Sequence, residues 1–338
     1  MKKIAIIGAG SWGTALAIAL GRSRERHRLS LWVHSADVLT GLCSSRENSI
    51  YLPGMRIPDE TQVTGDLGEA LEGADIVLGV VPSAHARAVY TAMLPHLNAK
   101  RASNTIFVSA TKGLEQNSHS RMSEVIAAVL GEKFVPPVAA LSGPSFALEV
   151  ARGDPTAVVI ASGDLQAAAE IQRELSNSTL RLYTNDDIVG VELGGAVKNV
   201  IALAAGVCAG LGLGANTVAA LITRGLSEMT RLAVALGGSR DTLAGLAGLG
   251  DLVLTATGGL SRNRSVGMEL GKGRKLAEIL SHMRMVAEGV GTTSATMALA
   301  RKHNVDMPIT GQMYAILHED RAPSAAIREL MERRLTKE

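Results

Sequence analysis

The sequence predicts a doubly wound α/β domain followed by an all-helical domain. Short apolar strands alternate with helices in the first half, and a glycine-rich turn joins the first strand to the first helix. From about Ile188 onward, only long Ala- and Leu-rich helical patterns follow. The 338 residues are enough for about two domains of roughly 150 residues each. We place the boundary near Asp187, which gives domains 1–187 and 188–338.

The strands of the first domain are predicted from continuous apolar runs, and Ser11–Leu20 is predicted as its first helix. Strands without polar alternation, separated by helices, indicate a sheet that is covered on both faces. The cleft between the two domains is then the expected place for a substrate. The predicted strands are Ile4–Ile7, Leu29–Val33, Asp75–Val81, Thr105–Ser109, Val138–Leu141, Ala157–Ala161 and Leu180–Tyr183.

Composition excludes several classes of protein. Aromatic residues make up only 3% of the chain, which disfavours stacking on single-stranded nucleic acid, and the net charge of +2 comes without a polybasic run. Cys43 and Cys208 form no disulfide framework, and the scattered histidines show no metal-ligand spacing. The first residues lack the features of a signal peptide. We therefore expect a cytoplasmic protein with no nucleic-acid partner and no metal.

One uncharged stretch, Asn199–Thr223, is long enough to cross a bilayer. It contains four glycines and two asparagines, and Lys198 and Arg224 flank it closely. We interpret it as a buried helix pair broken by glycine and expect no membrane span.

Gly8, Gly10 and Gly13 form a G-x-G-x-x-G pattern directly after a strand, where the first helix begins. In a dinucleotide site, the first glycine allows the tight turn, the second lets the backbone approach the pyrophosphate, and the third lets the helix pack on the strand. The helix N-terminus attracts the phosphates. The pattern alone is weak, and a purely structural glycine turn is the alternative, but its position in a βαβ unit predicts a Rossmann-type NAD(P) site.

The second strand ends without a carboxylate. An acidic residue there would bind the ribose 2′-hydroxyl of NAD, whereas this chain has Trp32-Val33-His34-Ser35 and places Asp37 three residues later. A 2′-phosphate is then not repelled, and His34 or Arg46 could contact it. We expect NADPH to be preferred and NADH to be possible; the alternative for His34 is a plain loop histidine.

Polar or glycine-rich segments interrupt the apolar pattern at four further places. They are Ala110-Thr111-Lys112-Gly113-Leu114, Ser142-Gly143-Pro144-Ser145-Phe146-Ala147, the segment from Glu192 to Val200, and the segment from Gly248-Leu249-Gly250-Asp251-Leu252 to Ser261-Arg262-Asn263-Arg264. Together with the Gly-Ala-Gly-Ser-Trp-Gly turn, this set resembles the bacterial NAD(P)-dependent glycerol-3-phosphate dehydrogenases over nearly the whole chain. Related β-hydroxyacid dehydrogenases share the architecture and a Lys/Asn pair but not the full set.

The resemblance implies a helical second domain of the 6-phosphogluconate-dehydrogenase-like type and a reversible reaction between dihydroxyacetone phosphate and sn-glycerol 3-phosphate, a precursor of glycerophospholipids. It implies Lys198 as the proton-exchanging residue. The substrate-binding residues it implies are Lys112, Gly143, Ser145, Asn199, Asp251, Ser261, Arg262 and Asn263. The cofactor-binding residues it implies are Ser11, Trp12, His34, Lys112, Ala147, Arg262, Val286 and Glu288.

Elementary chemistry agrees with these roles. A ketone that accepts hydride develops charge on its oxygen, so a nearby acid must supply a proton. A buried lysine with a cationic neighbour, for which Lys112 is a candidate, can reach a pKa of roughly 7–8. The planar fork of Arg262 suits phosphate oxygens, and its helix N-terminus adds amide donors.

Each role has a structural alternative. Lys198 could be a helix-end lysine whose charged tip reaches solvent, Asp251 could be a helix N-cap, and Trp12 could be a core residue. Two other functions also stay open: a related β-hydroxyacid dehydrogenase, and a dinucleotide sensor without catalysis. Activity on a panel of substrates would distinguish the β-hydroxyacid dehydrogenase, and cofactor binding without turnover would identify the sensor. The apolar helical domain could form a homodimer.

Overall fold

The computed structural model describes residues 1–23, 27–283 and 287–335. Contacts divide the described chain into two compact units. The first contains Met1–Lys112 and Ser120–Glu192, and the second contains Gly113–His119 and Leu193–Glu338. The short segment Gly113–His119 thus packs with the helical unit although it lies within the first half of the sequence. The boundary at Asp187 stays a prediction.

The first unit contains one eight-stranded sheet. Seven of its strands lie within two residues of the predicted bounds, and Gln62–Thr64 was not predicted. The strands are β1 (Lys3–Ile7), β2 (Arg28–Trp32), β3 (Gln62–Thr64), β4 (Ile76–Gly79), β5 (Ile106–Ser109), β6 (Val138–Ser142), β7 (Thr156–Ala161) and β8 (Leu180–Asn185). The predicted fold class is confirmed.

The strand order is β3-β2-β1-β4-β5-β6-β7-β8, and every pair is parallel except β6 with β7. The chain runs outward from β1 to β3 and then returns to the other side of β1 at β4. Ligands of open α/β sheets bind outside the carboxyl ends of the strands at such a reversal. The loops after β1 and β4 meet at this point.

Helices cover both faces of the sheet. Ile4 and Ile6 of β1 belong to one buried cluster, while Ala5 and Ile7 belong to the other, as the alternation along a strand requires. The helices of the first unit are α1 (Ser11–Leu20), α2 (Ala36–Ser45), α3 (Leu67–Leu71), α4 (Ala86–Met93), α5 (Ala99–Ala102), α6 (Met122–Leu130), α7 (Ala147–Arg152) and α8 (Leu165–Leu175). The predicted first helix, Ser11–Leu20, has the observed bounds.

The described residues of the second unit contain helices and no strand. Its helices are α9 (Ile188–Gly210), which begins in the first unit, α10 (Ala215–Ala235), α11 (Arg240–Ala244), α12 (Asp251–Thr257), α13 (Arg262–Gly271), α14 (Leu276–Ser281), α15 (Glu288–Lys302), α16 (Pro308–His318) and α17 (Pro323–Met331). Among described helices, α9 alone is long and apolar enough to cross a membrane, but 89% of its apolar window is buried inside the protein.

The interpretation of Asn199–Thr223 as a helix pair broken by glycine is confirmed. Gly206 and Gly210 lie inside α9, and the break falls at residues 211–214, where Gly212 has a φ of +75°. The expected burial was wrong for the start of the second helix, because Ala215 and Asn216 are exposed.

Glycines bring α9 and α13 into backbone contact. A Cβ on Gly206 would lie 2.0 Å from the carbonyl oxygen of Arg264, and a Cβ on Gly267 would lie 2.0 Å from that of Leu203. Gly210 and Gly271 make a second pair one turn further along. Because glycines occupy the contact positions on both helices, the two backbones can approach closely. This contact holds the N-terminus of α13 against the middle of α9.

The substitution Gly206→Ala tests this contact. We expect it to lower the free energy of unfolding by about 3 kcal/mol, because the new methyl group overlaps backbone atoms that cannot move aside. Gly311→Ala is the control: Gly311 lies inside α16 with nothing within 4 Å of its Cβ position, and alanine there should stabilise the helix by up to about 1 kcal/mol. Urea unfolding measures both. Equal effects of the two changes would contradict the close contact.

Candidate active site

The glycine-rich turn follows β1 and leads directly into α1. Gly8 has a φ of +122°, and a Cβ there would lie 2.5 Å from the carbonyl oxygen of Val80. A Cβ on Gly13 would lie 1.8 Å from the carbonyl oxygen of Gly8. Both positions therefore require glycine for the path of the backbone, whereas a Cβ on Gly10 would project into open space.

The N-terminus of α1 suits an anion. Within the described residues, no side chain caps this helix, and its first turn contains no acidic residue. The Ser11 hydroxyl donates a hydrogen bond to the Tyr51 carbonyl oxygen at 2.7 Å. Trp12 is half-buried and packs against the apolar core, so a core contribution is present beside any contact with a cofactor. The open space at Gly10 and the uncapped amides fit a dinucleotide pyrophosphate.

Of the two basic residues predicted near a 2′-phosphate, His34 is exposed and Arg46 is hydrogen-bonded within the protein. His34 is exposed, and its ring centroid lies 5.6 Å from that of Trp32. Arg46 donates from its guanidinium to the carbonyl oxygens of Pro58, Asp59 and Thr61. Arg46 Nη2 therefore holds a loop of the protein itself, and a contact of Arg46 with a 2′-phosphate stays a prediction.

Lys112, Gly143 and Ser145 come together at the carboxyl ends of β5 and β6. Lys112 Nζ donates to the Gly143 carbonyl oxygen at 2.8 Å and to Ser145 Oγ at 3.4 Å. Gly143 has a φ of +130°, and a Cβ there would meet the backbone of Val158 at 3.0 Å. Ala147 begins α7 immediately afterwards. The cluster places one ammonium group beside a tight turn on the side of the sheet where ligands of this fold bind.

The second unit contains a buried ion pair. Lys198, in the middle of α9, is 5% exposed, and Asp251, the first residue of α12, is 1% exposed. Lys198 Nζ donates to Asp251 Oδ1 and, at 2.9 Å, to Thr255 Oγ1. The helix-end alternative for Lys198 was wrong, because the side chain is central and buried. The N-cap alternative for Asp251 was also wrong, because Gly250 precedes it in a helical conformation.

Thr255 is a site residue that the sequence analysis missed. Its hydroxyl donates to the Asp251 carbonyl oxygen at 2.6 Å and accepts from Lys198. The signal was the spacing, because residues four apart share one face of a helix. With Asp251 on one side and Thr255 on the other, the direction of the Lys198 ammonium group is fixed.

The start of α13 has the predicted form. Ser261 is its N-cap, with Oγ accepting from the Arg264 amide at 3.2 Å. Asn263 is buried, and its Oδ1 accepts from the Gly289 amide at 3.0 Å. A Cβ on Gly289 would lie 2.8 Å from both that oxygen and the carbonyl oxygen of Asn199. Asn199, Asn263 and the start of α15 therefore converge.

Arg262 is exposed, whereas its neighbours in the chain, Ser261 and Asn263, are buried. Partial burial lowers the pKa of its guanidinium, and the nearby charge of Glu288 raises it. An arginine remains charged at neutral pH in either case. The start of α13 therefore carries a full positive charge. Val286, which the resemblance implies as a cofactor residue, lies outside the described residues.

Comparison with known proteins agrees with this arrangement. Residues 3–168 match the family model of the NAD-dependent glycerol-3-phosphate dehydrogenase N-terminus, and residues 187–328 match that of its C-terminus. The glycerol-3-phosphate dehydrogenase [NAD(P)+] of Koribacter versatilis is 58% identical over 100% of this chain and 99% of its own, and that of Acidobacterium capsulatum is 53% identical over 98% of each.

A solved structure supports the same conclusion. The crystal structure of glycerol-3-phosphate dehydrogenase from Coxiella burnetii is 44% identical, has a TM-score of 0.92, and covers 98% of this chain and 99% of its own. Family-model matches over both halves and relatives above 50% identity along the full length leave one conclusion. The chain belongs to the NAD(P)-dependent glycerol-3-phosphate dehydrogenase family.

Proposed function

We propose that the chain interconverts dihydroxyacetone phosphate and sn-glycerol 3-phosphate, with residues 1–187 binding NADPH and residues 188–338 supplying the proton-transfer groups. The observation that carries this proposal is the buried cluster of Lys198, Asp251 and Thr255 in a chain of this family. The product serves glycerophospholipid synthesis.

Lys198 acts as the proton donor and acceptor. A bound nicotinamide supplies the hydride for reduction at the substrate ketone. As charge develops on the ketone oxygen, the Lys198 ammonium stabilises it and passes a proton to it; in the reverse direction the neutral amine takes the proton back. The Asp251 carboxylate compensates the charge of the ammonium group, and Thr255 holds its direction. The burial of all three groups strengthens these electrostatic interactions.

The substrate phosphate binds at the start of α13 in this proposal. Arg262 offers a planar pair of donors, and the buried amides of Asn199 and Asn263 stand nearby to bind substrate oxygens. Ser261 holds the helix start in shape. We assign Lys112, Gly143 and Ser145 to the same substrate, and Lys112, Arg262, Ala147 and Glu288 to the cofactor.

NADPH is the preferred cofactor in our proposal, and NADH is also accepted. No carboxylate follows β2 directly, His34 is exposed beside the start of α2, and the described residues give that helix no side-chain cap. A 2′-phosphate would therefore meet an imidazole and a helix N-terminus. The carboxylate of Asp37, in the first turn of α2, weakens this attraction for the 2′-phosphate.

The proposal also covers the cellular compartment and the oligomeric state. Both cysteines are free, with Cys43 exposed and Cys208 buried, which favours a reducing compartment such as the cytoplasm. Leu213, just before α10, and Val234, near the C-terminal end of α10, expose 37% and 41% of their surface. We propose that the helical unit pairs with a second copy of the chain.

Lys198→Met should reduce kcat by at least about a hundredfold, because general acid–base catalysis contributes about 10²–10⁴. The Kd for NADPH should change by less than about twofold. Removal of one partner leaves the Asp251 charge buried and lowers stability. The double variant Lys198→Met with Asp251→Asn removes both charges and should recover stability but not activity. Steady-state rates, NADPH titration and urea unfolding measure these three properties. Turnover close to that of the wild type in either variant would refute the assignment.

Arg262→Ala should raise the KM for dihydroxyacetone phosphate by about 10–100-fold, which corresponds to the loss of one charge-assisted pair of hydrogen bonds. The matched control is Arg264→Ala, two residues along the same helix. We expect that variant to stay within about twofold of the wild type. Initial rates over a range of substrate concentrations decide the matter. An unchanged KM for Arg262→Ala, or equal effects of the two substitutions, would contradict the proposal that Arg262 binds the substrate phosphate.

The wild type should oxidise NADPH with a higher kcat/KM than NADH. His34→Asp should reverse or erase the difference by about tenfold or more, because a carboxylate repels the 2′-phosphate and accepts from a 2′-hydroxyl. His96→Asp, at another histidine of the first unit, is the control. A wild type that prefers NADH, or a ratio that does not respond to His34→Asp, would contradict the proposed preference.

A further inference from the structure

We propose that Asn48 is a positioning residue of the dinucleotide site: it holds the Ala9–Gly10 peptide in the direction that the cofactor pyrophosphate requires. Asn48 lies in the segment between α2 and β3, 39 residues from Ala9 along the chain. The inference rests on the proposed binding of the dinucleotide at the glycine-rich turn, and it adds a residue to that site.

The side chain of Asn48 is fixed by three hydrogen bonds. It is 1% exposed. Its Nδ2 donates to the Ala9 carbonyl oxygen at 2.8 Å and to Thr14 Oγ1 at 2.9 Å, and its Oδ1 accepts from the Tyr51 amide at 3.1 Å. An asparagine amide offers two donors and one acceptor oxygen, so both hydrogens and the oxygen are in use. The side chain cannot rotate without leaving buried polar groups unpaired.

The bond to Ala9 sets the direction of the next amide. In a trans peptide the C=O and N–H point to opposite sides of the same plane. Because the Ala9 carbonyl oxygen points to Asn48, the Gly10 N–H must point away from it. Gly10 has no Cβ and so adds little restraint of its own to this peptide. The asparagine thus supplies the restraint that glycine lacks, in a turn whose amides must face phosphate oxygens.

The other contacts make the support for the turn rigid. Thr14 lies in the second turn of α1, so one amide group joins the glycine-rich turn to the helix that follows it. The segment that carries Asn48 is joined to the same helix again, because the Ser11 hydroxyl donates to the Tyr51 carbonyl oxygen. The segment is itself braced, since the Leu52 amide donates to the Asn48 carbonyl oxygen at 2.8 Å and the Gly54 amide to Glu47 Oε1 at 2.8 Å.

The chain offers a matched control at the other end of the same helix. Asn177 Nδ2 donates to the Ala19 carbonyl oxygen at 2.9 Å, and its Oδ1 accepts from the amides of Thr179 and Leu180. Asn177 thus joins a distant segment to α1 by the same chemistry as Asn48, but far from the glycine-rich turn. A structural role alone predicts the same consequences for both asparagines.

The experiment compares Asn48→Asp with Asn177→Asp. The aspartate at 48 has no hydrogens to donate and turns an oxygen toward the Ala9 carbonyl oxygen. We expect the Kd and KM for both NADPH and NADH to rise about tenfold, while kcat at saturating cofactor and the KM for dihydroxyacetone phosphate stay within about twofold. Asn177→Asp should lower Tm and leave the dinucleotide Kd unchanged.

The outcomes are separable. A folded Asn48→Asp protein with the wild-type Kd for both dinucleotides would overturn the inference, and so would equal losses in kcat and in both KM values. If Asn48→Asp does not fold, Asn48→Ser, which also removes the bond to Ala9 but adds no charge, is measured in the same way and decided by the same results. A wild-type protein that binds neither dinucleotide would refute the proposed function rather than this inference.

Discussion

The burial of one charge organises the helical unit. Lys198 lies in the middle of a helix that is buried along most of its length, where an isolated ammonium group would be too costly to desolvate. Asp251 compensates the charge and Thr255 accepts one further hydrogen. Since neither partner lies on α9, helix α12 must sit at a fixed height and rotation against it. The need to compensate a buried ammonium group thereby fixes the packing of two helices.

The glycines of α9 position a second helix, α13, against α9. Backbone contact between Gly206 and the Arg264 carbonyl oxygen brings α13 closer than any helix pair with side chains at the interface could come. Arg262 and Asn263 stand at the start of α13, so the groups proposed to bind the phosphate lie on a helix that is positioned by backbone contact. A contact of this kind has little freedom to relax, which suits a site that must present several donors at once.

The sequence predicted what local patterns determine and missed what tertiary partners determine. The strand and helix on either side of Gly8 were predicted to within one residue, because apolar runs and glycine spacing define them locally. Strand β3 was missed because Gln62-Val63-Thr64 has one apolar residue and pairs only with β2. The backbone contacts of Gly206 and Gly210 were not predicted, because a sequence does not show that another backbone lies against them. The carbonyl partners of Arg46 were not predicted, because they belong to a loop whose conformation no local pattern determines.

The candidate site shows the same limit. Lys198, Asp251 and Arg262 were predicted from motif resemblance, but Thr255 and Asn48 were not, although each makes more than one buried hydrogen bond. Neither residue type signals chemistry by itself. A threonine in a helix and an asparagine in a loop are common, and only the identity of their partners gives them a role. Residues that orient other residues are therefore the part of a site that sequence reasoning finds last.

Two helix starts carry the proposed anion sites, and they differ in a way that matches their ligands. Helix α1 has no side-chain cap among the described residues, and the turn before it is held by Asn48. Helix α13 is capped by Ser261, which uses the Arg264 amide. With that donor engaged, the α13 site needs the Arg262 guanidinium to supply positive charge. A bridging pyrophosphate of low charge density suits backbone amides, whereas a terminal phosphate with two negative charges suits a full cation.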